Sequence, residues 1–249
     1  MAVEGCSANS AAERYPVANE NDRVDCLFVH SLYDVWRTCV LRDTYDESYF
    51  RRFLVHKTPL SQRNALRLTH IRRYASSGKL LEVGFGQGGL LRMAARYFDV
   101  AGVDISPYVV RAASRWLGDR VHCGDISQET LPTAEYQVIA AFGVLEHLPR
   151  PECALLRLYE ALSDGGVLVG AVPNNQGIVG GINTAITNIA DATHCSTYSP
   201  SRWSQLFRQA GFRQIDFCGE ITLTRNRAFF VESALWKHIS FNLIFACIK

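Results

Sequence analysis

The stretch that decides the fold is LLEVGFGQGG at residues 80–89, in which an apolar run leads directly into a cluster of glycines. The run predicts a buried strand, and the glycines predict a sharp turn that opens a helix. Gly84, Gly86 and Gly88 satisfy a GxGxG pattern, and Gly89 in place of Gly88 completes GxGxxG. Such a turn lets a ligand approach the backbone closely, although a tight strand-to-helix turn without a ligand has the same pattern.

Three acidic residues surround this glycine turn. Asp104 ends the next apolar run, AGVDI, where a carboxylate can accept both ribose hydroxyls of an adenosine. Nicotinamide-dependent enzymes use the same arrangement, so Asp104 alone leaves the class of cofactor open. Glu82 would repel a pyrophosphate and would suit an ammonium or sulfonium group. Asp125, in HCGDI, is placed to accept from an adenine amino group. These acids favour a positively charged adenosine cofactor over a nicotinamide.

Beyond Gly78, short apolar runs alternate with helical segments. This alternation predicts an α/β, doubly wound, mostly parallel sheet with right-handed crossovers. Ser106-Pro107 and Ser199-Pro200 predict the starts of two helices, and Gly165 and Gly211 predict the ends of two.

The sequence divides into four parts by composition and hydrophobic pattern. Residues 1–22 are polar and are predicted to be flexible. Residues 23–78 predict a helical cap, in which Thr58 begins a helix as its N-cap. Residues 79–249 form the predicted core, and within it residues 174–199 predict an irregular insertion on the substrate side, because long connections are typical of lids.

Composition limits the classes of function. The 249 residues carry a net charge of +2, which argues against a dedicated nucleic-acid binder, and 48% are hydrophobic, which suits a folded core. No apolar stretch is long enough to predict a membrane span. The eight cysteines are scattered and form no CxxC pair, so we expect free thiols, a cytoplasmic location and no metal site. We expect a monomer or a homodimer.

In combination, these motifs resemble the class I S-adenosylmethionine-dependent methyltransferases, and in particular the small-molecule branch that includes quinone-type O-methyltransferases and tailoring enzymes. The resemblance covers residues 79–219, and FNLIFACIK fits the family's final strand. It rests on the segments LLEVGFGQGG, VAGVDIS, HCGDI, YQVIAAFGVLEHL, LSDGGVLVGAVPN, LEHLPRPE and DATHCSTYSP. It implies a Rossmann-like sheet of seven strands whose last strand is antiparallel.

The resemblance also implies S-adenosylmethionine as cofactor and assigns residues to it. The methionine end would lie against Glu82, Gly84, Gly86 and Gly88. The adenosine would lie against Asp104, Ile105, Asp125 and Ile126, and the sulfonium against Phe142 and Gly143. Phe85 departs from the family, which often has Cys or Thr there, and we expect it to reshape the nearby pocket.

Two histidines are candidate catalytic bases. His147 in LEHLP follows the fourth strand, and His194 in THCSTY lies in the insertion, where Asp191 is spaced to orient it. A histidine titrates near neutral pH and can take a hydroxyl proton. Each also has a purely structural interpretation, as a residue that holds its own loop.

Several other residues could form the acceptor pocket. Tyr198 could shape the wall beside His194, and N-terminal aromatic residues could cover the pocket, although core packing explains their spacing equally well. These aromatic residues are Phe28, Tyr33, Trp36, Tyr45, Tyr49 and Phe50, of which we select Tyr33 and Trp36. We expect a solvated helix face to carry four arginines, which are Arg63, Arg67, Arg72 and Arg73.

The sequence therefore predicts a methyltransferase that acts on a small-molecule acceptor, and we expect O-methylation. Transfer to nitrogen or carbon, a nicotinamide oxidoreductase and a non-catalytic cofactor-binding protein remain alternatives.

Overall fold

The apolar runs of the sequence form one mixed sheet. The structure, a computed structural model, describes residues 44–54, 61–224, 227–233 and 235–249. The strands of this part of the chain are β1 (Lys79–Val83), β2 (Asp99–Asp104), β3 (Val121–Cys123), β4 (Tyr136–Phe142), β5 (Leu162–Pro173), β6 (Gln214–Thr224), β7 (Arg227–Val231) and β8 (Asn242–Ile248). Their order in the sheet is β3-β2-β1-β4-β5-β8-β6-β7.

Helices cover both faces of this sheet. They are α1 (Glu47–Leu54), α2 (Gln62–Ile71), α3 (Gly89–Ala94), α4 (Pro107–Leu117), α5 (Pro151–Ala161), α6 (Gly177–Ala190), α7 (Pro200–Ala210) and α8 (Trp236–Ile239), with short 3-10 turns at Gly118–Arg120 and Leu145–His147. Successive residues of a strand point to opposite faces, so Leu81 and Leu80 belong to different buried clusters. The predicted doubly wound architecture is confirmed.

The directions of the strands match the prediction, but their number does not. Strands β1 to β5 are parallel, and β8 runs antiparallel to β5 and β6, as expected of a final strand. The prediction of seven strands is wrong because β7 adds an eighth at the sheet edge, antiparallel to β6. The Gln62 amide stabilises this strand: its Nε2 donates to the Ala228 carbonyl, and its Oε1 accepts from the Ala228 N–H. This contact joins distant parts of the sequence.

The helix boundaries follow the predicted caps in part. Ser199 is the N-cap of α7 and accepts from the Arg202 N–H, Ser106 is the N-cap of α4, and Gly211 ends α7 at φ +116°. Helix α2 begins after Ser61, whose hydroxyl accepts from the Asn64 N–H, and the predicted cap Thr58 lies outside the described residues.

Two further expectations about local structure are wrong. Gly165 lies within β5 and does not end a helix, since α5 stops at Ala161 and the chain enters the strand at once. The insertion at residues 174–199 is not irregular, because α6 occupies fourteen of its residues. Helix α6 has no charged residue, which hid its period from the sequence argument.

The N-terminal predictions are only partly within the described chain. Residues 1–43 lie outside it, and with them the flexible segment 1–22 and the candidates Phe28, Tyr33 and Trp36. Within the predicted cap, α1 and α2 are helical. Among the described helices, none is long and apolar enough to cross a membrane.

Of the five cysteines within the described residues, one departs from expectation, and Cys6, Cys26 and Cys39 lie outside the described part of the chain. Cys123, Cys195, Cys218 and Cys247 are free thiols, as predicted. Cys153 is disulfide-bonded, so the expectation of free thiols throughout is wrong.

Candidate functional site

A cleft lies at the carboxyl ends of the parallel strands, where the order of the sheet reverses between β1 and β4. Gly84 follows β1, Gly143 follows β4, Asp104 ends β2 and Asp125 lies just beyond β3. Ligands of open α/β sheets bind at such a reversal. The cleft is lined by Tyr45, Tyr49, Phe50, Val83, Gly84, Gly86, Val103, Asp104, Ile105, Gly124, Asp125, Ile126, Gly143, Val144, His147 and Leu148.

The glycines of the loop after β1 have different reasons to be glycine. Gly84 and Gly88 have φ of +64° and +67°, and a Cβ would stand 2.5 Å from Val144 Cγ2 at Gly84 and 2.9 Å from the Trp116 ring at Gly88. Gly86 has φ of +53°, but its Cβ would meet nothing nearer than the Phe50 ring at 3.9 Å. Gly84 and Gly88 therefore permit the close packing of the loop against Val144 and Trp116. The backbone of Gly86 lies open to the cleft, where a ligand can approach it.

Asp104 is a buried carboxylate at the wall of this cleft. Its Oδ2 accepts from the Gly86 N–H and its Oδ1 from the Ser106 N–H, both at 2.9 Å. Burial raises the pKa of Asp104 to about 6, and the two N–H groups oppose that rise. Each carboxylate oxygen has a second lone pair, so Asp104 retains the capacity to accept from hydroxyl groups of a ligand.

Asp125 is held in a tight turn beyond β3. Its Oδ1 accepts from the Ser127 N–H at 2.9 Å and from the Ser127 hydroxyl at 2.6 Å. Ile105 and Ile126 line the same part of the cleft and give it apolar walls. A flat aromatic group with a polar edge, such as adenine, fits between these apolar walls and the Asp125 carboxylate.

Glu82 lies behind the cleft wall. Its side chain is buried in β1, and its carboxylate accepts from the Leu91 N–H at 3.1 Å. Burial raises the pKa of Glu82 to about 8, with the positive charge of Arg67 acting in the opposite direction. A cationic ligand group near Glu82 would therefore favour its ionised form.

Of the four arginines predicted to form a solvated face, Arg72 and Arg73 are exposed as predicted, but Arg63 and Arg67 of α2 are mostly buried. Arg63 and Arg67 both pair with Glu220, whose side chain is fully buried in β6. The Arg67 guanidinium also lies 4.5 Å from the centre of the Phe142 ring. Phe142, which the resemblance places against the sulfonium, is not among the cleft-lining residues. Its ring lies behind the cleft wall, beside Arg67. This contact is not evident in the sequence because Arg67 and Phe142 belong to distant segments.

Two predicted pocket residues lie outside the cleft. Phe85 is buried against β2, where Gly102 makes room for it: a Cβ on Gly102 would stand 2.7 Å from the Phe85 ring. The expectation that Phe85 reshapes the pocket is therefore wrong. Tyr198 packs against Trp203, with ring centres 5.3 Å apart, and belongs to the core at α7.

The two candidate bases lie side by side. The rings of His147 and His194 have their centres 4.7 Å apart, and His147 lines the cleft whereas His194 is absent from its lining. Burial lowers the pKa of His147 to about 4 and also lowers that of His194, so both rings are neutral at pH 7. The His194 N–H donates to the backbone carbonyl of Asp191 at 3.3 Å, but no described hydrogen bond joins the Asp191 carboxylate to the His194 ring. The Nδ1 of His194 instead lies 2.9 Å from Asn188 Oδ1.

Glu146 completes a cluster with these histidines. Glu146, His147 and His194 each bring one oxygen or nitrogen atom within 4.8 Å of the others, and side chains of this kind could hold a divalent metal ion. The sequence predicted no metal site, and that stays a prediction.

Aromatic residues from the N-terminal side close the cleft. Tyr45 and Tyr49 stand edge to face at 4.8 Å, and Phe50 follows with its ring 5.4 Å from Tyr49. All three line the cleft. All three are among the six aromatic residues that the sequence offered as pocket candidates, but the two selected there were Tyr33 and Trp36.

Comparison with known proteins agrees with this geometry. A family profile described as a methyltransferase domain matches residues 55–216. The chain belongs to this methyltransferase family. Its fold is that of the class I methyltransferases, as the sequence predicts.

Relatives with known names are ubiquinone biosynthesis O-methyltransferases of bacteria. The one from Nitrosomonas europaea is 33% identical over 43% of this chain and 50% of its own length. The one from Nitrosospira multiformis is 30% identical over 61% of this chain and 71% of its own length. The alignment with the first thus spans only half of that relative.

Solved structures share the fold at low sequence identity. A S-adenosylmethionine-dependent methyltransferase from Archaeoglobus fulgidus superposes with a TM-score of 0.60 at 17% identity, covering 81% of this chain and 98% of that one. Phosphoethanolamine N-methyltransferase 2 of Haemonchus contortus, solved with S-adenosylmethionine, gives 0.56 at 16% identity over 80% and 60% of the two chains. These similarities establish the fold.

Proposed function

We propose that this methyltransferase transfers the methyl group of S-adenosylmethionine to a hydroxyl group of a small-molecule acceptor. The observation that carries the proposal is that a neutral histidine, His147, lines the same cleft as the glycine loop and Asp104. The names of the relatives, all O-methyltransferases, support the choice of oxygen.

The residues present fit the cofactor. The backbone of Gly86 is open to the cleft, and the Asp104 carboxylate has capacity to accept from ribose hydroxyls. Ile105 and Ile126 would enclose the adenine, with Asp125 accepting from its amino group. The sequence-predicted set of binding residues is retained in this proposal, with Glu82, Gly88 and Phe142 acting from behind the wall.

The chemistry assigned to the chain is the removal of a proton. When bound, S-adenosylmethionine supplies an electrophilic methyl group on a positively charged sulfur. His147 would take the proton of the acceptor hydroxyl as its oxygen receives that methyl group, and the donor would leave as neutral S-adenosylhomocysteine. Of the two candidate bases, His147 is assigned this role because it is the histidine in the cleft lining.

The cleft also needs to exclude water and align the acceptor. We propose that Tyr45, Tyr49 and Phe50 of the N-terminal cap and the α6 side of the insertion cover the acceptor. The contact between Tyr49 and Asp191 supports this, since it joins the cap to the end of α6.

Turnover with matched acceptors tests the proposal. We would incubate the chain with methyl-deuterated S-adenosylmethionine and either dihydroxybenzenes or aromatic amines of equal size, and measure S-adenosylhomocysteine release and product mass. We expect the label on oxygen, and a loss in His147→Gln of roughly 10²–10⁴-fold in turnover. Labelled amines alone, or a His147→Gln variant with full activity, would overturn it.

A further inference from the structure

A chain of hydrogen bonds runs from the N-terminal cap to His147. The Tyr49 hydroxyl donates to Asp191 Oδ2 at 2.9 Å, and the Thr193 hydroxyl donates to Asp191 Oδ1 at 2.5 Å. Thr193 Oγ1 in turn lies 2.8 Å from His147 Nδ1. Asp191 and Thr193 therefore connect the N-terminal cap to His147, which is distant from both in sequence.

The direction of each hydrogen bond follows from counting protons. A threonine hydroxyl has one proton, and a carboxylate can only accept. The Asp191 carboxylate accepts from the Tyr49 hydroxyl on Oδ2 and from the Thr193 hydroxyl on Oδ1, so the single Thr193 proton lies toward Asp191. The contact between Thr193 and His147 can then form only if Nδ1 of His147 is the donor. The neutral ring must carry its proton on Nδ1 and its lone pair on Nε2.

We infer that Asp191 and Thr193 are positioning residues that fix the tautomer of His147, so that Nε2 is the nitrogen that accepts the acceptor's proton. This inference deepens the proposed function and rests on it for the role of Nε2. The tautomer itself follows from the contacts alone. Tyr49 extends the chain and makes the orientation of the base depend on the docking of the cap.

The neighbouring groups support this assignment. Neutral imidazole in water has no fixed orientation, so a base that must face one acceptor needs a partner for its other nitrogen. His194 is the adjacent ring, and its own Nδ1 is held by Asn188 Oδ1 and not by Thr193. Glu146 and Asp191 are the nearby carboxyl groups, and Tyr45 stands edge to face with His147 at 6.1 Å. Among these side chains, only Thr193 makes the described contact with His147 Nδ1.

Nitrogen-15 spectroscopy of the histidine rings tests the inference without an acceptor. The signals of His147 are assigned as those lost in His147→Gln. In the wild-type chain at pH 7 we expect the proton of the neutral ring on Nδ1. In Thr193→Val, which keeps the shape and removes the hydroxyl, we expect the proton to appear on Nε2. Thr193→Ser should restore the wild-type pattern.

Turnover provides a second and separate measurement. Thr193→Val should lower kcat by roughly 10–100-fold, the loss typical when the partner that orients a ligating histidine is removed. Binding of S-adenosylhomocysteine should stay unchanged, and Thr193→Ser should recover kcat. Thr69→Val is the matched control, because Thr69 is exposed on α2 and its hydroxyl only donates to the Ala65 carbonyl.

Each outcome decides a different claim. A wild-type proton on Nε2 of neutral His147, or a Thr193→Val spectrum equal to that of the wild type, would overturn the inference. An Nδ1 proton together with no transfer to any hydroxyl acceptor would leave the tautomer established and would refute the proposed function. Should Thr193→Val fail to fold, the wild-type spectrum and that of Asp191→Asn still decide the question.

Discussion

Replacing Gly86 with alanine separates the two roles of the glycine loop. Gly86 has φ of +53°, and an added Cβ would meet nothing nearer than 3.9 Å, so the ligand-free chain should fold with backbone strain alone. A left-handed conformation costs a non-glycine residue about 1–2 kcal/mol. For a chain of this size, that cost lowers Tm by roughly 2–8 °C.

The same methyl group projects toward the cleft, where we propose that the cofactor lies. Forcing one extra methyl group against a packed partner costs about 1–3 kcal/mol. Because about 1.4 kcal/mol corresponds to a tenfold change in Kd, this cost weakens S-adenosylhomocysteine binding by roughly 5- to 150-fold. Calorimetry measures the affinity, and thermal unfolding measures the strain.

Gly118 offers a matched control for this experiment. It has φ of +62° in the turn after α4, and its Cβ would meet no atom within 4 Å. Gly118→Ala should therefore lower Tm through backbone strain and leave the affinity unchanged. If Gly86→Ala binds S-adenosylhomocysteine as the wild type does, the backbone of Gly86 is not against the ligand and the reasoning fails.

Three further predictions concern the cleft and the layer behind it. In steady-state assays with a hydroxyl acceptor, His147→Gln should lower kcat by roughly 10²–10⁴-fold, whereas His194→Gln should lower it less; the reverse order would return the base to His194. Arg67→Ala should lower the free energy of unfolding in urea by about 1–3 kcal/mol, because the buried Glu220 loses one of its two cations and keeps Arg63, whereas the exposed Arg111→Ala should change it by less than about 0.5 kcal/mol. Since the pKa of Glu82 is raised to about 8 from 4.5, the folded chain binds that proton more tightly than the unfolded chain, so the cofactor-free protein should lose stability as pH rises from 4.5 through 8. Glu82→Gln should flatten this decline in melting curves, and an equally steep decline in the variant would show that Glu82 is not its source.

The sequence predicted those features that local pattern encodes. The glycine loop, Asp104 and Asp125 could be placed at one edge of the sheet because each follows a short apolar run. The start and end of α7 were equally visible from Ser199-Pro200 and Gly211. These predictions needed no knowledge of distant contacts.

The features that the sequence missed depend on contacts between distant segments. Strand β7 is held at the edge by Gln62, and the burial of Arg67 depends on Glu220 in β6. The position of Phe85 depends on the missing side chain at Gly102. No local pattern reports such pairs, which is why a solvated arginine face and a pocket-forming Phe85 were expected.

The histidines illustrate the same limit within the site. The spacing of Asp191 and His194 suggested that one orients the other, but Asp191 instead accepts from Thr193 and Tyr49. A helix end and the cap helix converge there, and only the folded arrangement shows which histidine receives the support.

Binding of S-adenosylhomocysteine to the wild type and to Asp104→Ala, measured by calorimetry, tests the central claim that this cleft holds the methyl donor. We expect the wild type to bind S-adenosylhomocysteine and not NAD. We expect Asp104→Ala to bind it roughly 10- to 150-fold more weakly, since hydrogen bonds to a charged group contribute about 1.5–3 kcal/mol. Unchanged affinity in Asp104→Ala, or a wild-type chain that binds NAD in its place, would contradict the account.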